Sequence, residues 1–172
     1  MSFTEPGHRC PQKRTAGQRR IVLVDIENVV GGSASVHDNI EWARATVERL
    51  VSVDPGDHVV IGCGPGGLLD LGCTWTHVRY VMRSGLDGAD LALLDVLGEN
   101  IAARFTEVVL VSGDGIFADA VAVFGAQGLH TTVIAHRDGL SRRLELAANT
   151  VKFLPDCPAP QPDPAVTQKD AA

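Results

Sequence analysis

The sequence predicts an α/β domain built on a parallel sheet. Short, continuous runs of Val, Ile and Leu recur along the chain, as strands buried on both faces require. Stretches with helical apolar spacing separate those runs, and the alternation repeats across residues 20–154. Strand, helix and strand in succession imply parallel pairing and right-handed crossovers.

The elements follow in order. Residues 21–25 form the first strand, ending on Asp25. Residues 38–51 read as a helix with Ile40, Ala43, Val47 and Leu50 on one face. A strand at 57–63, a short helix at 68–71 and a strand at 77–82 come next. Residues 88–104 carry the clearest helical pattern, with Leu91, Leu94, Leu97, Gly98 and Ile101 as the inward stripe. A strand at 107–112 leads to a helix at 116–127, in which Phe117, Val121 and Phe124 point inward. A strand at 131–135, a helix at 141–149 and an edge strand at 151–154 complete the body. Residues 1–19 and 155–172 read as disordered tails, the first basic and the second rich in Pro and Ala.

At 172 residues the chain suits one domain with a real core. Its 45% hydrophobic content and mean hydropathy of +0.09 exclude a disordered body. No apolar run approaches the roughly 20 residues of a membrane helix, and the first residues lack a stretch of signal-peptide type. A cytoplasmic protein without a membrane partner is expected; nothing in the sequence opposes a homo-oligomer. Cys10, Cys63, Cys73 and Cys157 are widely spaced and form no C-x-x-C pair, so ordinary reduced thiols are expected. The net charge of −6 is uneven, with +4 on residues 1–20 and −8 on residues 21–154. So acidic a body repels phosphates unless metal ions intervene. The basic leader could touch nucleic acid, although a solvated tail is the commoner meaning of such a run.

In parallel sheets, ligands sit beyond the carboxyl ends of the strands. Asp25 closes the first strand, and Asp114 follows the fourth in Ser112-Gly113-Asp114-Gly115. If those strands are neighbours, both carboxylates enter one crevice. Asp90 falls inside the inward stripe of its helix, where a carboxylate is costly unless paired or bound to a cation. Asp87 as N-cap and Asp90 in the first turn would also suit the positive helix end. Asn28 can hold a carboxylate or a metal-bound water, or serve as a turn residue. Asp119 is expected to face solvent and is the weaker fourth ligand; Asp95 reads as a boundary acid. Such a cluster suits Mg²⁺ or Mn²⁺, which take hard oxygen ligands and assist phosphodiester cleavage. Arg83, Arg142 and Arg143, with Arg137, are candidate phosphate contacts or equally well solvated charges. The six histidines show no ligand spacing, and Trp42 and Trp75 read as core or edge residues.

Gly62-Cys63-Gly64-Pro65-Gly66-Gly67 matches G-x-G-x-x-G. It follows the second strand rather than the first, and Pro65 lacks an amide donor for phosphate. A flexible loop is the better reading.

The D-x-x-N of Asp25 and Asn28, the Gly88-Ala89-Asp90 helix start and the Ser112-to-Phe117 turn together resemble the NYN domain family of PIN-like nucleases. The resemblance covers about residues 20–154. It implies a three-layer, Rossmann-like PIN fold with strand order 3-2-1-4-5. It also implies a metal-dependent ribonuclease with Asp25, Asp90 and Asp114 as metal-site acids and RNA as partner. One departure stands out, since Ile116 occupies the position of the family's second Asp. Asp119, one turn on, is the residue that could replace it. A catalytically weakened RNA-binding adaptor on the same fold is the alternative. A haloacid-dehalogenase-like phosphatase is disfavoured, because Glu27 replaces the second Asp of its D-x-D and no lysine precedes the Gly-Asp turn within the body.

Overall fold

Six runs of four to six residues pair side by side, and the central ones are too apolar to leave either face in water. The computed structural model describes residues 18–32 and 37–156, so most of both expected tails lies outside the described residues. The strands are β1 (Arg20–Asp25), β2 (His58–Cys63), β3 (Arg79–Met82), β4 (Glu107–Val111), β5 (His130–Ala135) and β6 (Thr150–Phe153). They form one parallel sheet in the order β3-β2-β1-β4-β5-β6. The expected order is thus present, with the short last strand added at the β5 edge.

Helices cover both faces: α1 (Ile26–Val30), α2 (His37–Val51), α3 (Leu68–Thr74), α4 (Gly88–Leu97), α5 (Ala118–Ala126) and α6 (Arg142–Ala147). Alternate β1 side chains choose the layer. Val22 and Val24 pack with Val29, Ile40, Val47, Leu71 and Trp75 on one side. Ile21 and Leu23 pack with Leu93, Val96, Val121, Phe124 and Leu144 on the other. At the sheet's amino edge, buried Arg20 bonds to Asp57 and to the Val51 and Ser52 carbonyls, so its charge is paired rather than stranded. Among the described residues no helix is long and apolar enough to cross a membrane.

Two expectations need correction. The helix expected over residues 88–104 ends at Leu97, because Gly98 follows and Asn100 is left-handed at φ 56. Residues 101–103 form a separate 3-10 turn. The buried stripe of α4 is Ala89, Ala92, Leu93, Val96 and Leu97, while Leu91 and Leu94 are only half-buried. Small residues face the sheet because α4 crosses it closely over Gly62. A Cβ on Gly62 would lie 2.6 Å from Leu93 Cγ and 3.0 Å from the Ala89 carbonyl. Gly62→Ala should therefore cost about 1–3 kcal/mol by overpacking, read as a lowered urea midpoint; an unchanged midpoint would show that α4 can give way.

Candidate active site

Asp25 is both the last residue of β1 and the N-cap of α1. Its Oδ1 accepts the Asn28 N–H at 3.3 Å, which satisfies one of the free amides of the helix start. Its Oδ2 accepts the Ser112 hydroxyl at 3.1 Å. Ser112 is fully buried at the end of the neighbouring strand, and its Oγ accepts the Asp114 N–H at 3.2 Å. Asp114 in turn caps the 3-10 turn Gly115–Phe117 through the Ile116 N–H at 2.8 Å. Asn28 Oδ1 accepts the Gly113 N–H at 3.0 Å. Two strand-end turns are thus locked together by Asn28 and Ser112, and their acids share one crevice because β1 and β4 are neighbours.

Asp90 enters from the first turn of α4, behind Asp87 (φ 54), which occupies the N-cap position without a side-chain capping bond. Asp90 shares a side-chain hydrogen bond with Asp25. Its Oδ1 is buried and has no hydrogen-bond partner. Burial, followed by the Asp25 charge and the bond to Asp25, pushes the Asp90 carboxyl up to about 7, with Asp114 and Asp87 adding to the effect. Burial also raises Asp25, against the lowering effect of its bonds to Asn28, Asp90 and Ser112. Burial and the neighbouring Asp25 charge thus disfavour ionisation of Asp90.

Asp25, Glu27, Asn28, Asp87, Asp90 and Asp114 line a cavity of about 330 Å³, with Leu86 exposed on its rim. Glu27 and Ser112 were not among the residues expected to build it. Glu27 Oε1 accepts the Gly64 N–H at 3.1 Å, so the glycine-rich loop after β2 is tied to the pocket. Ser112 could have been read from its place at the end of a fully apolar strand, where a lone hydroxyl needs a partner.

Other expected residues lie elsewhere. Asp119 faces solvent, as its helical position predicts, but it does not line the cavity. Its Oδ1 accepts from Arg143 at 2.9 Å, so it does not replace the acid missing at Ile116. Arg142 is paired with Glu145 at 2.6 Å. Arg83 is half-exposed and lies 3.7 Å from Asp95. Among the described residues the cavity has no basic side chain in its lining.

The residues present fit a divalent cation. Among the described residues no three His, Cys, Asp or Glu converge as a ready-made ligand shell. Mg²⁺ needs no such cage, since it is commonly held by one or two carboxylates, several waters and substrate phosphate. The orphaned Asp90 Oδ1, beside acids that burden one another with protons, is the oxygen such an ion would satisfy.

Asn28→Ala should loosen the lock between the turns, costing about 1–3 kcal/mol through the unsatisfied Gly113 N–H. Chemical denaturation measures this, and an unchanged midpoint would mean that the bond does not hold the turns.

The chain matches no family model and no curated protein. Among solved structures it is similar to the crystal structure of a protein of unknown function from Vibrio parahaemolyticus RIMD 2210633, with 21% identity and a TM-score of 0.55. The likeness covers 84% of this chain and 98% of that one. It is a likeness of fold alone: this chain has a Rossmann-like, three-layer α/β fold around one open parallel sheet.

Proposed function

We propose that the protein is a cytoplasmic, divalent-metal-dependent ribonuclease that cleaves RNA phosphodiester bonds at the Asp25–Asp90–Asp114 pocket. The observation that carries this reading is the buried, partnerless Oδ1 of Asp90, in a carboxyl crowded by Asp25 and Asp114. A cavity with this much negative charge and no basic lining accepts a phosphate only when a cation comes with it. RNA as substrate rests on the D-x-x-N, Gly-x-Asp and Ser-Gly-Asp-Gly motifs. When bound, Mg²⁺ or Mn²⁺ neutralises developing charge and lowers the pKa of a coordinated water.

The chain's own residues have distinct tasks. Asp25, fixed by the Asn28 N–H and the Ser112 hydroxyl, presents a carboxylate of set orientation. Asp90 would offer its partnerless Oδ1 to such a cation. Asp114 faces them from the β4 turn. Glu27 and Asp87 add negative potential to the cavity. Ser112, Asn28 and Gly64 are positioning residues.

The test is cleavage of a mixed RNA pool in Mn²⁺ by the wild type, Asp25→Asn and Asp114→Asn. Both variants should lose about 10²-fold or more in rate; equal activity in all three would sink the proposal. The second reading, an RNA-binding adaptor, is favoured by Ile116 and the outward Asp119. It predicts RNA retention without turnover. A phosphatase would hydrolyse small phosphomonoesters and leave RNA intact, but Asp119 turns away from the site where that chemistry needs it.

A further inference from the structure

The amino edge of the sheet, opposite the acidic pocket, carries a cluster that the cleavage reaction does not use. Phe105 is buried just before β4, and two guanidinium groups lie against its ring, Arg19 and Arg104, each 5.2 Å from the centroid. His58, at the start of β2, has its ring 6.0 Å from that of Phe105. Arg79, at the start of β3, bonds to Glu99 at 2.5 and 2.7 Å, and Arg104 lies 3.9 Å from the same acid. Arg19 and Arg104 are exposed and Arg79 is half-buried. Among the described residues, the acid bonded to these arginines is Glu99, while the Glu107 carboxylate lies towards buried Arg20.

Parallel pairing explains the grouping. All the strands begin at this edge, so residues distant in sequence arrive together as surely as the acids do at the other end. An aromatic ring holding two guanidiniums restricts their rotamers, so less freedom is left to lose on binding. His58 responds to the local field: burial, then the charges of Arg104, Arg79 and Arg19, lower its pKa, opposed by Glu99. In sequence, residues 1–17 extend the positive charge, with Arg9, Lys13 and Arg14 against Glu5. Among the described residues, Arg19, Arg79 and Arg104 thus meet at one edge of a body whose residues 21–154 sum to −8.

We propose that this edge, centred on Arg19, Arg79 and Arg104 around Phe105, is a second RNA contact surface that grips the phosphate backbone of a long RNA. Naming RNA as the polyanion rests on the nuclease reading; the cationic surface itself does not. The two edges stand about 20 Å apart, the length of a six-residue strand at roughly 3.3 Å per residue. A short RNA in the acidic pocket would not reach the arginines, whereas a long one would touch both. The surface reads no sequence, because phosphate contacts position a strand without specifying it.

The test uses the full chain in EDTA, so that binding is read without turnover, with a long mixed RNA followed by fluorescence anisotropy across a salt series. Arg79→Ala with Arg104→Ala should weaken binding and lower the salt slope by about 1.4, the share of two single-strand phosphate contacts. Glu99→Gln should act oppositely and tighten binding, which guards against a variant that merely folds poorly. With Mn²⁺ supplied in place of EDTA, cleavage of a dinucleotide should be the same in both variants and the wild type. An unchanged salt slope, an unchanged or weakened Glu99→Gln, or stronger retention on phosphatidylserine vesicles than on RNA would overturn the proposal. Arginine-dependent RNA binding by a protein with no cleavage activity would sink the nuclease reading and leave this surface standing.

Discussion

Asp90→Asn is expected to abolish RNA cleavage while making the protein more stable above pH 7. Cleavage should fall by about 10²–10⁴-fold, the range lost when a proton-handling side chain is removed from a reacting centre. Stability should move the other way. The Asp90 carboxyl sits at about 7 in the folded protein, against 3.8 when unperturbed. Its contribution to stability is therefore fully present below about pH 4 and is lost as pH rises through about 7. Above that, the folded state carries a carboxylate it has pushed out of its preferred range, next to Asp25. The asparagine amide keeps the shape, carries no charge, and can donate to the Asp25 carboxylate. Water screens this half-buried group, so about 1–2 kcal/mol of the gain is realised at pH 8. Urea midpoints of the two proteins at pH 5 and pH 8 check the sign. A variant less stable than wild type at pH 8 would show that the acid pair is not under strain. Activity and stability opposed at one residue mark a group kept for chemistry instead of folding.

The sheet is legible because its central strands carry continuous apolar runs. A run such as Ile21 to Val24 has no polar side to turn to water, so burial on both faces was forced. Asp25 and Asp114 are legible for the same reason, as the first acids after such runs. The direction of Asp90 was read correctly from a wrong stripe. Leu91 and Leu94 look like the natural core of α4, yet α4 lies so close to Gly62 that the alanine face takes the sheet. The volume available between helix and sheet decided this, and helical spacing does not encode that volume. Asp119 failed as a ligand because the 3-10 turn Gly115–Phe117 precedes α5, so that Asp119 turns outward to Arg143. Glu27 was passed over as a mere mismatch to a phosphatase motif; its bond to Gly64 depends on a loop 37 residues away. The arginines were judged one at a time as neighbours of the acidic site. Those that gather, Arg19, Arg79 and Arg104, do so at the opposite edge, through strand register that only the paired sheet reveals.

A divalent cation and a proton should compete for Asp90, and this competition is measurable without any RNA. At pH 8 the carboxyl is ionised, and Mn²⁺ at about a hundred times its Kd should add about 2.7 kcal/mol to the folded state. In a chain of this size that corresponds to about 5–10 °C in Tm. At pH 5 the proton holds the site, so the same Mn²⁺ concentration should move Tm much less. EDTA should reverse the pH 8 shift. Asp119→Asn should keep the full shift, since Asp119 lies outside the cavity and is paired with Arg143. Asp90→Asn should lose most of it, because the oxygen that lacks a partner in the folded chain is then an amide group of the same shape with no charge. Equal Tm shifts at the two pH values, or a full shift in Asp90→Asn, would place the cation elsewhere and remove the reason for the raised carboxyl. The dependence on both pH and Asp90 separates occupancy of this pocket from general screening of a −6 chain, because screening by a divalent salt would stabilise the wild type and both variants alike.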